Sequence, residues 1–211
     1  MAVREKKAGS AGAVVVAIAG GLGNQMFQYA AGRAVAARLG CELRLDLTGF
    51  AKDRLRTYAL DCFDIEGEPA AEAEVARLGG RERMLPGFVR RSLARRGIRP
   101  DPRVFREPHW HYAPGIETLR APVLLIGYWQ SPRYFSGIRA ELLKTFRPTA
   151  PLSDYSASVR RDIRAGSAVA VHIRRGDYVT NPSASRRMGL CDVDYYRRAV
   201  DLLIRLEPGS R

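Results

Sequence analysis

Cysteine and histidine are scarce in this sequence, with three of each in 211 residues. The cysteines Cys41, Cys62 and Cys191 are odd in number and widely spaced, and they form no CxxC or Cys/His ligand pattern. This spacing predicts a reducing compartment and no zinc site.

Long hydrophobic runs are also missing, because no stretch reaches the ~18 apolar residues that a membrane-spanning helix needs. Arg4, Lys6 and Lys7 precede an apolar run, and Ala17-Ile18-Ala19 imitates a signal-peptidase site. The run is rich in β-branched valines and leads directly into a glycine turn, which is typical of a buried parallel strand. We therefore interpret it as a strand and not as a signal peptide.

Acidic residues are outnumbered, since 35 Lys and Arg face 22 Asp and Glu and the net charge is +13. This balance favours anionic partners, among which nucleotide sugars, nucleic acid and an acidic membrane surface all remain open. The segment 81–106 contains nine arginines and little periodicity. A solvated linker is the interpretation we favour for it over an anion-binding patch.

The apolar pattern predicts an α/β fold. A strand over 13–19, a helix over 25–39 and a strand over 41–47 form a βαβ unit, which indicates a parallel sheet. The rest of the prediction consists of a strand over 122–127, a helix over 132–146, a helix over 153–164, a buried strand over 168–173 and a helix over 193–206.

A domain boundary is predicted at 147–151, where two prolines in five residues end a helix. It divides the chain into domains 1–150 and 151–211. Only about sixty residues follow it, whereas an independent α/β domain normally has about 100 or more. We expect the second domain to be incomplete.

The glycine turn Gly20-Gly21-Leu22-Gly23-Asn24-Gln25 lies between the first strand and the first helix. It fits neither a dinucleotide fingerprint, because Met26 replaces the third glycine, nor a P-loop, because Gly-Lys-Ser/Thr is missing. The amide pair Asn24 and Gln25 could bind hydroxyls or a phosphate at the helix start. Alternatively, Asn24 caps the helix.

The end of the predicted 168–173 strand carries the second polar cluster, Arg174-Arg175-Gly176-Asp177-Tyr178, with His172 just before it. Ligands of open α/β sheets bind outside the carboxyl ends of the strands, and paired guanidinium groups can bind a diphosphate bidentately. A structural Arg175–Asp177 ion pair with a core histidine is the alternative.

These motifs resemble glycosyltransferase family 11, the α-1,2-fucosyltransferases. Its opening motif is similar to residues 20–30, and its H-x-R-R-x-D motif is similar to 172–177. Residues 56–65, Gly127-Tyr128-Trp129-Gln130-Ser131 and the Tyr195-Tyr196 pair also fit the family pattern in order.

The resemblance implies a GT-B-like fold of two facing Rossmann-like domains, a GDP-fucose donor, no metal and inverting transfer to a galactose hydroxyl. The first domain would lie on the acceptor side and the second would bind GDP-fucose. The implied catalytic candidates are Arg174, His172 and Asn24. The implied substrate-binding residues are Gly21, Gly23, Asn24, Gln25, Tyr128, Gln130, His172, Arg174, Arg175, Asp177 and Tyr178.

Family members continue beyond the last helix with a strand carrying an FSDD-like motif, so we expect part of the nucleotide pocket to be absent from 151–211. Other readings are a different fucosyltransferase with the same arginine motif, an inactive GDP-sugar-binding fragment and an arginine-rich nucleic-acid binder. The expected partners are GDP-fucose and a galactose-containing glycan, either free or lipid-linked. We expect a cytoplasmic location, with peripheral contact at the inner membrane as an option.

Overall fold

The computed structural model describes residues 12–79, 88, 89, 92, 101–173, 175–180, 186 and 189–206. Contacts divide the chain into a first unit, Met1–Ala150, and a second unit, Pro151–Arg211. The helices and strands of the first unit are β1 (Ala13–Ala17), α1 (Leu22–Leu39), β2 (Glu42–Asp46), β3 (Glu68–Pro69), α2 (Glu72–Arg77), β4 (Val104–Arg106), β5 (Val123–Ile126) and α3 (Arg139–Thr145).

The first unit is built on a five-stranded sheet with the strand order β3-β2-β1-β5-β4, and every pairing in it is parallel. Val15 of β1 lies opposite Arg44 of β2 and Leu124 of β5, so β1 is central. The predicted parallel α/β sheet is confirmed, and the unit is Rossmann-like.

Both faces of the central strands are buried, as expected for a parallel sheet whose crossover segments cover it. Val14 and Val16 belong to the core on the α1 side, together with Tyr29. Val15 and Leu124 pack on the other side in a smaller cluster that includes Val75 of α2. The alternation follows from the two-residue period of a strand.

Helix α1 approaches the sheet closely at Gly32. A Cβ atom at this position would lie 2.8 Å from Cγ1 of Val16 and 3.0 Å from Cδ1 of Leu43. The absence of a side chain therefore sets the distance between helix and sheet. The helix begins at Leu22, three residues before the predicted start.

The predicted helix over 132–146 is only partly helical. Two 3₁₀ turns, Pro132–Tyr134 and Ser136–Ile138, precede α3. The buried ring of Tyr134 lies in the first of these turns, so its environment is set by tight turns and not by a helix.

The second unit contains α4 (Asp154–Arg164), α5 (Asp177–Thr180) and α6 (Val193–Leu206). The prediction of a buried strand over 168–173 is wrong, because these residues have neither strand nor helix structure and are exposed. Val169, Val171 and Ile173 keep 39%, 51% and 55% of their surface exposed. A strand needs neighbours to satisfy its backbone groups, and the described residues of this unit form none.

No helix in the described ranges combines the length and apolar character required to cross a membrane.

Candidate functional site

The carboxyl ends of β1 and β5 are joined by the buried side chain of Gln28 from α1. Its carbonyl oxygen accepts a 2.9 Å hydrogen bond from the backbone N–H of Ala19, and its amide donates at 3.1 Å to the carbonyl of Gly127. The two neighbouring strand ends, which carry the glycine turn and the 127–131 motif, are thereby fixed to one another. This is the edge at which open α/β sheets bind ligands.

The side chain of Gln25 is buried, and both its amide and its carbonyl oxygen form hydrogen bonds within the protein. Its amide donates 2.8 Å hydrogen bonds to the carbonyls of Gly20 and Thr57, and its carbonyl oxygen accepts from the N–H of Ala59 at 2.9 Å. These bonds connect the glycine turn with residues 57–59, so Gln25 holds the loop together. The described contacts of the Gln25 side chain are thus all with other parts of the protein.

Asn24 and Gln130 meet at this edge, although they lie 106 residues apart in sequence. The Gln130 amide donates a 2.8 Å hydrogen bond to the side-chain oxygen of Asn24. Gln130 is exposed and Asn24 is half-buried. The helix is capped by Gly21 without a side-chain bond, so Asn24 is not the cap.

The glycine turn itself keeps its backbone accessible. Gly23 has open space where a side chain would be, and Gly21 has as its nearest neighbour the Nε atom of Arg56, 4.0 Å from the Cβ position. A guanidinium group thus lies beside the start of α1, where the N–H groups of the first turn also carry partial positive charge. This corner of the site favours electronegative groups such as oxygen atoms of a ligand.

Glu107, which follows β4, holds the 127–130 turn. Its Oε2 atom accepts hydrogen bonds from the backbone N–H groups of Tyr128 at 2.8 Å and Trp129 at 2.9 Å. A Cβ atom on Gly127 would lie 2.5 Å from Cβ of Glu107, so only glycine fits. Trp129 adopts a φ of 56°, a strained value for a residue other than glycine.

The strained turn is retained because its tryptophan is locked in the core. Trp129 is fully buried, stacks on Phe105 with ring centroids 6.0 Å apart and meets Tyr134 edge-on at 5.3 Å. Within the described part of the chain, its indole N–H has no hydrogen-bond partner. Strain and unpaired buried donors of this kind cluster at functional sites.

Residues 107–111 extend the site and were not identified as site residues from the sequence. Trp110 stacks on Tyr128 with ring centroids 5.6 Å apart and an interplanar angle of 19°. A short strand followed by the aromatic and histidine run His109-Trp110-His111-Tyr112 is the signal that could have indicated them.

Tyr134 fixes the chain just after Trp110. Its hydroxyl donates to the carbonyl of His111 at 3.1 Å and accepts from the N–H of Ala113 at 2.9 Å. Burial raises the pKa of Tyr134, with the hydrogen bond from Ala113 opposing the shift. The phenol therefore stays protonated at neutral pH and can act as both donor and acceptor.

The arginine motif belongs to the second unit. His172 and Arg175 are exposed, and Arg174 lies outside the described residues. Asp177 and Tyr178 begin α5 after Gly176, and their side chains also lie outside the described part of the chain. The structure therefore brings Asn24, Tyr128 and Gln130 together in the first unit, while His172 and Arg175 are described separately.

In the described ranges, no three His, Cys, Asp or Glu side chains cluster in a way that could hold a metal ion. The D-x-D spacing of Asp192 and Asp194 serves the start of α6. Asp192 accepts from the N–H of Tyr195 at 2.7 Å, and Asp194 pairs with Arg197 at 3.2 Å. These two carboxylates act as local helix contacts.

Comparisons with known proteins relate the sequence to glycosyltransferases. The sequence model of glycosyl transferase family 11 matches residues 119–206, which include the 127–131 turn and the arginine motif. An α-1,2-colitosyltransferase of Escherichia coli is 34% identical over 190 residues, covering 87% of this chain and 61% of that protein. The O-antigen biosynthesis glycosyltransferase WbnK of Escherichia coli is 29% identical over 206 residues, covering 87% and 65%.

The chain thus spans less than two thirds of the length of these two curated relatives. No solved structure matches it. Residues 119–206 match glycosyltransferase family 11, and this match and the two relatives agree with the ordered motifs that resemble that family.

Proposed function

We propose that this chain is part of a galactoside α-1,2-fucosyltransferase, which transfers L-fucose with inversion from GDP-fucose to a galactose hydroxyl of a glycan. The observation that carries the proposal is the hydrogen bond between Asn24 and Gln130, which joins two family motifs at the ligand-binding edge of the sheet. The names of the two relatives, a colitosyltransferase and an O-antigen glycosyltransferase, support sugar transfer in glycan synthesis.

In this proposal the two units share the reaction in a GT-B-like arrangement. The first unit faces the acceptor through Asn24, Tyr128 and Gln130. The second unit binds the nucleotide through the 172–178 motif, with Arg174 on the diphosphate and His172 beside it. We propose that Arg175, Asp177 and Tyr178 also bind the nucleotide.

The acceptor hydroxyl attacks C1 of fucose, its proton is released, and the bond from C1 to the diphosphate oxygen breaks. The electron pair of that bond leaves with GDP. The sugar carries positive charge in an oxocarbenium-like transition state, while negative charge grows on the diphosphate. Arginine side chains held at that position stabilise the growing charge, so we propose that transfer needs no metal ion.

A second donor is favoured by the relative named as a colitosyltransferase. Colitose is L-fucose without the 3-hydroxyl group, so the two donors differ by a single hydrogen-bonding position. A site that hydrogen-bonds this hydroxyl rejects the analogue lacking it strongly, whereas a site that leaves it free accepts both.

The direct experiment is a transfer assay with GDP-fucose or GDP-colitose as donor and lactose as acceptor. We expect fucosyl transfer by the wild type and a rate about 10²- to 10³-fold lower for Arg174→Ala, because one preorganised donor to the leaving group is lost. Arg164→Ala, on the exposed α4 helix, is the matched control and should retain the wild-type rate.

Addition of EDTA should leave the rate unchanged. Transfer from GDP-colitose alone would replace the proposed donor, and a wild-type rate in Arg174→Ala would contradict the role of that arginine.

A further inference from the structure

Two aromatic rings lie uncovered at the carboxyl edge of the sheet. Trp110 keeps 67% and Tyr128 keeps 38% of its surface exposed, although the two rings stack on each other. We call this pair the aromatic platform. Single exposed apolar side chains are common, but two exposed rings that stack on each other form a contiguous patch, and such patches indicate binding surfaces.

Hydrogen bonds fix the backbone next to both rings of the aromatic platform. Glu107 accepts hydrogen bonds from the N–H groups of Tyr128 and Trp129, and Trp129 is locked in the core. On the other side of Trp110, the N–H of His111 donates to Nδ1 of His109 at 3.3 Å, and Tyr134 binds the carbonyl of His111. A ligand would therefore meet a largely preorganised surface, which reduces the entropy lost on binding.

Polar groups adjoin the aromatic platform. Gln130 follows Tyr128 by two residues and is bonded to Asn24. A pyranose ring has an apolar C–H face and a rim of hydroxyl groups, so ring stacking and side-chain amides match its two kinds of surface. A nucleotide suits the surface less, because the Glu107 carboxylate bonded to the platform's backbone would repel a diphosphate.

We propose that Trp110 and Tyr128 stack on a pyranose ring of the glycan acceptor, with Trp110 as a binding residue. This inference rests on the proposed function, because it assigns the sugar to the acceptor and not to the donor. Trp110 belongs to none of the five stretches from which the resemblance was drawn, and it lies outside the matched range 119–206.

The test is saturation-transfer NMR on the 211-residue chain with lactose, with a panel of methyl pyranosides of galactose, glucose and N-acetylgalactosamine, and with GDP. For the wild type we expect saturation to be transferred from the protein to the lactose protons. Trp110→Ala should weaken lactose binding about tenfold, because the stacking contact is lost. GDP binding should not change.

Tyr155→Ala is the matched control, because it removes another highly exposed aromatic ring from the second unit. It should bind lactose as the wild type does. Since Trp110 is exposed, the thermal unfolding midpoint of Trp110→Ala should equal that of the wild type, which separates loss of binding from loss of fold. Trp110→Phe should restore most of the lactose signal.

Three results would overturn the inference: equal lactose binding in Trp110→Ala, no transfer to any pyranoside of the panel, or loss of GDP binding in Trp110→Ala, which would assign the platform to the nucleobase. Failure of the proposed function has a different signature. GDP-fucose would then not serve as donor, while lactose binding would still depend on Trp110.

Discussion

Apolar sequence patterns are buried in the first unit of this chain and exposed in the second unit. In the first unit, the valines of β1 are fully buried between two neighbouring strands and two helices. In the second unit, the apolar run over 168–173 and the apolar residues of α6 are exposed or only partly buried. Apolar periodicity specifies a face that can be buried, and burial itself requires a partner surface in the chain.

The difference extends to the site. Gln28 bonds the ends of β1 and β5 to each other, Gln25 bonds the glycine turn to residues 57–59, and Glu107 accepts hydrogen bonds from the 127–130 turn. The described residues of the arginine motif, His172, Arg175 and Gly176, are exposed. The candidate residues of the first unit are therefore held by a buried core, whereas the described residues of the arginine motif are exposed.

The comparison is tested most strongly by removing one leucine from each unit. Leu125→Ala should lower the free energy of unfolding by about 2–5 kcal/mol, because the side chain is fully buried in β5 and its loss leaves a cavity. Leu202→Ala should change it by less than about 0.5 kcal/mol, since this side chain is 53% exposed. Urea unfolding followed by tryptophan emission and circular dichroism measures both, and equal effects would contradict the contrast.

Two glutamine substitutions within the first unit should differ less in their effect on the free energy of unfolding. Gln25→Leu should lower the free energy of unfolding by about 3 kcal/mol. The substitution leaves the carbonyls of Gly20 and Thr57 and the N–H of Ala59 without their hydrogen-bond partner. Gln130→Leu should cost less than about 0.5 kcal/mol, because Gln130 is exposed. The same urea titration compares the two. A neutral Gln25→Leu would mean that the 57–59 segment does not depend on this amide.

The smallest expected effect is a loss of stability at alkaline pH. Burial raises the pKa of both Tyr29 and Tyr134, so the fold favours the protonated phenols. Their contribution is fully present below the unfolded value of about 10 and is lost as the pH rises through the folded pKa values. We therefore expect the free energy of unfolding of the first unit to fall as the pH rises from about 9 to about 11.5.

Urea midpoints across that range provide the measurement. The double variant Tyr29→Phe and Tyr134→Phe should show a flatter dependence than the wild type. An identical slope would assign the alkaline effect to other groups.

Local pattern was sufficient for β1, α1, β2 and β5, because each combines a clear period with a turn signal. The start of α1 was predicted three residues too late: the helix begins at Leu22, and Gln25 shares a buried face with Gln28, Tyr29 and Gly32. Residues three and four apart lie on one side of a helix, so a shift of the helix start changes the interpretation of each polar side chain.

Contacts between distant segments could not be read from the sequence. The Asn24–Gln130 hydrogen bond depends on β1 and β5 being neighbours, and the role of Glu107 depends on β4 pairing beside β5. Residues 107–111 directly follow the arginine-rich segment, whose irregular composition hid the short strand β4. Sequence analysis identified the motifs, and the strand order determined which of them meet.

The most direct test of the account is to measure lactose and GDP binding separately, by calorimetry, for Asn24→Ala and Arg174→Ala. We expect Asn24→Ala to weaken lactose binding and to leave GDP binding intact, and Arg174→Ala to weaken GDP binding and to leave lactose binding intact. Loss of GDP binding in Asn24→Ala together with unchanged GDP binding in Arg174→Ala would contradict the assignment of acceptor and nucleotide to the two units.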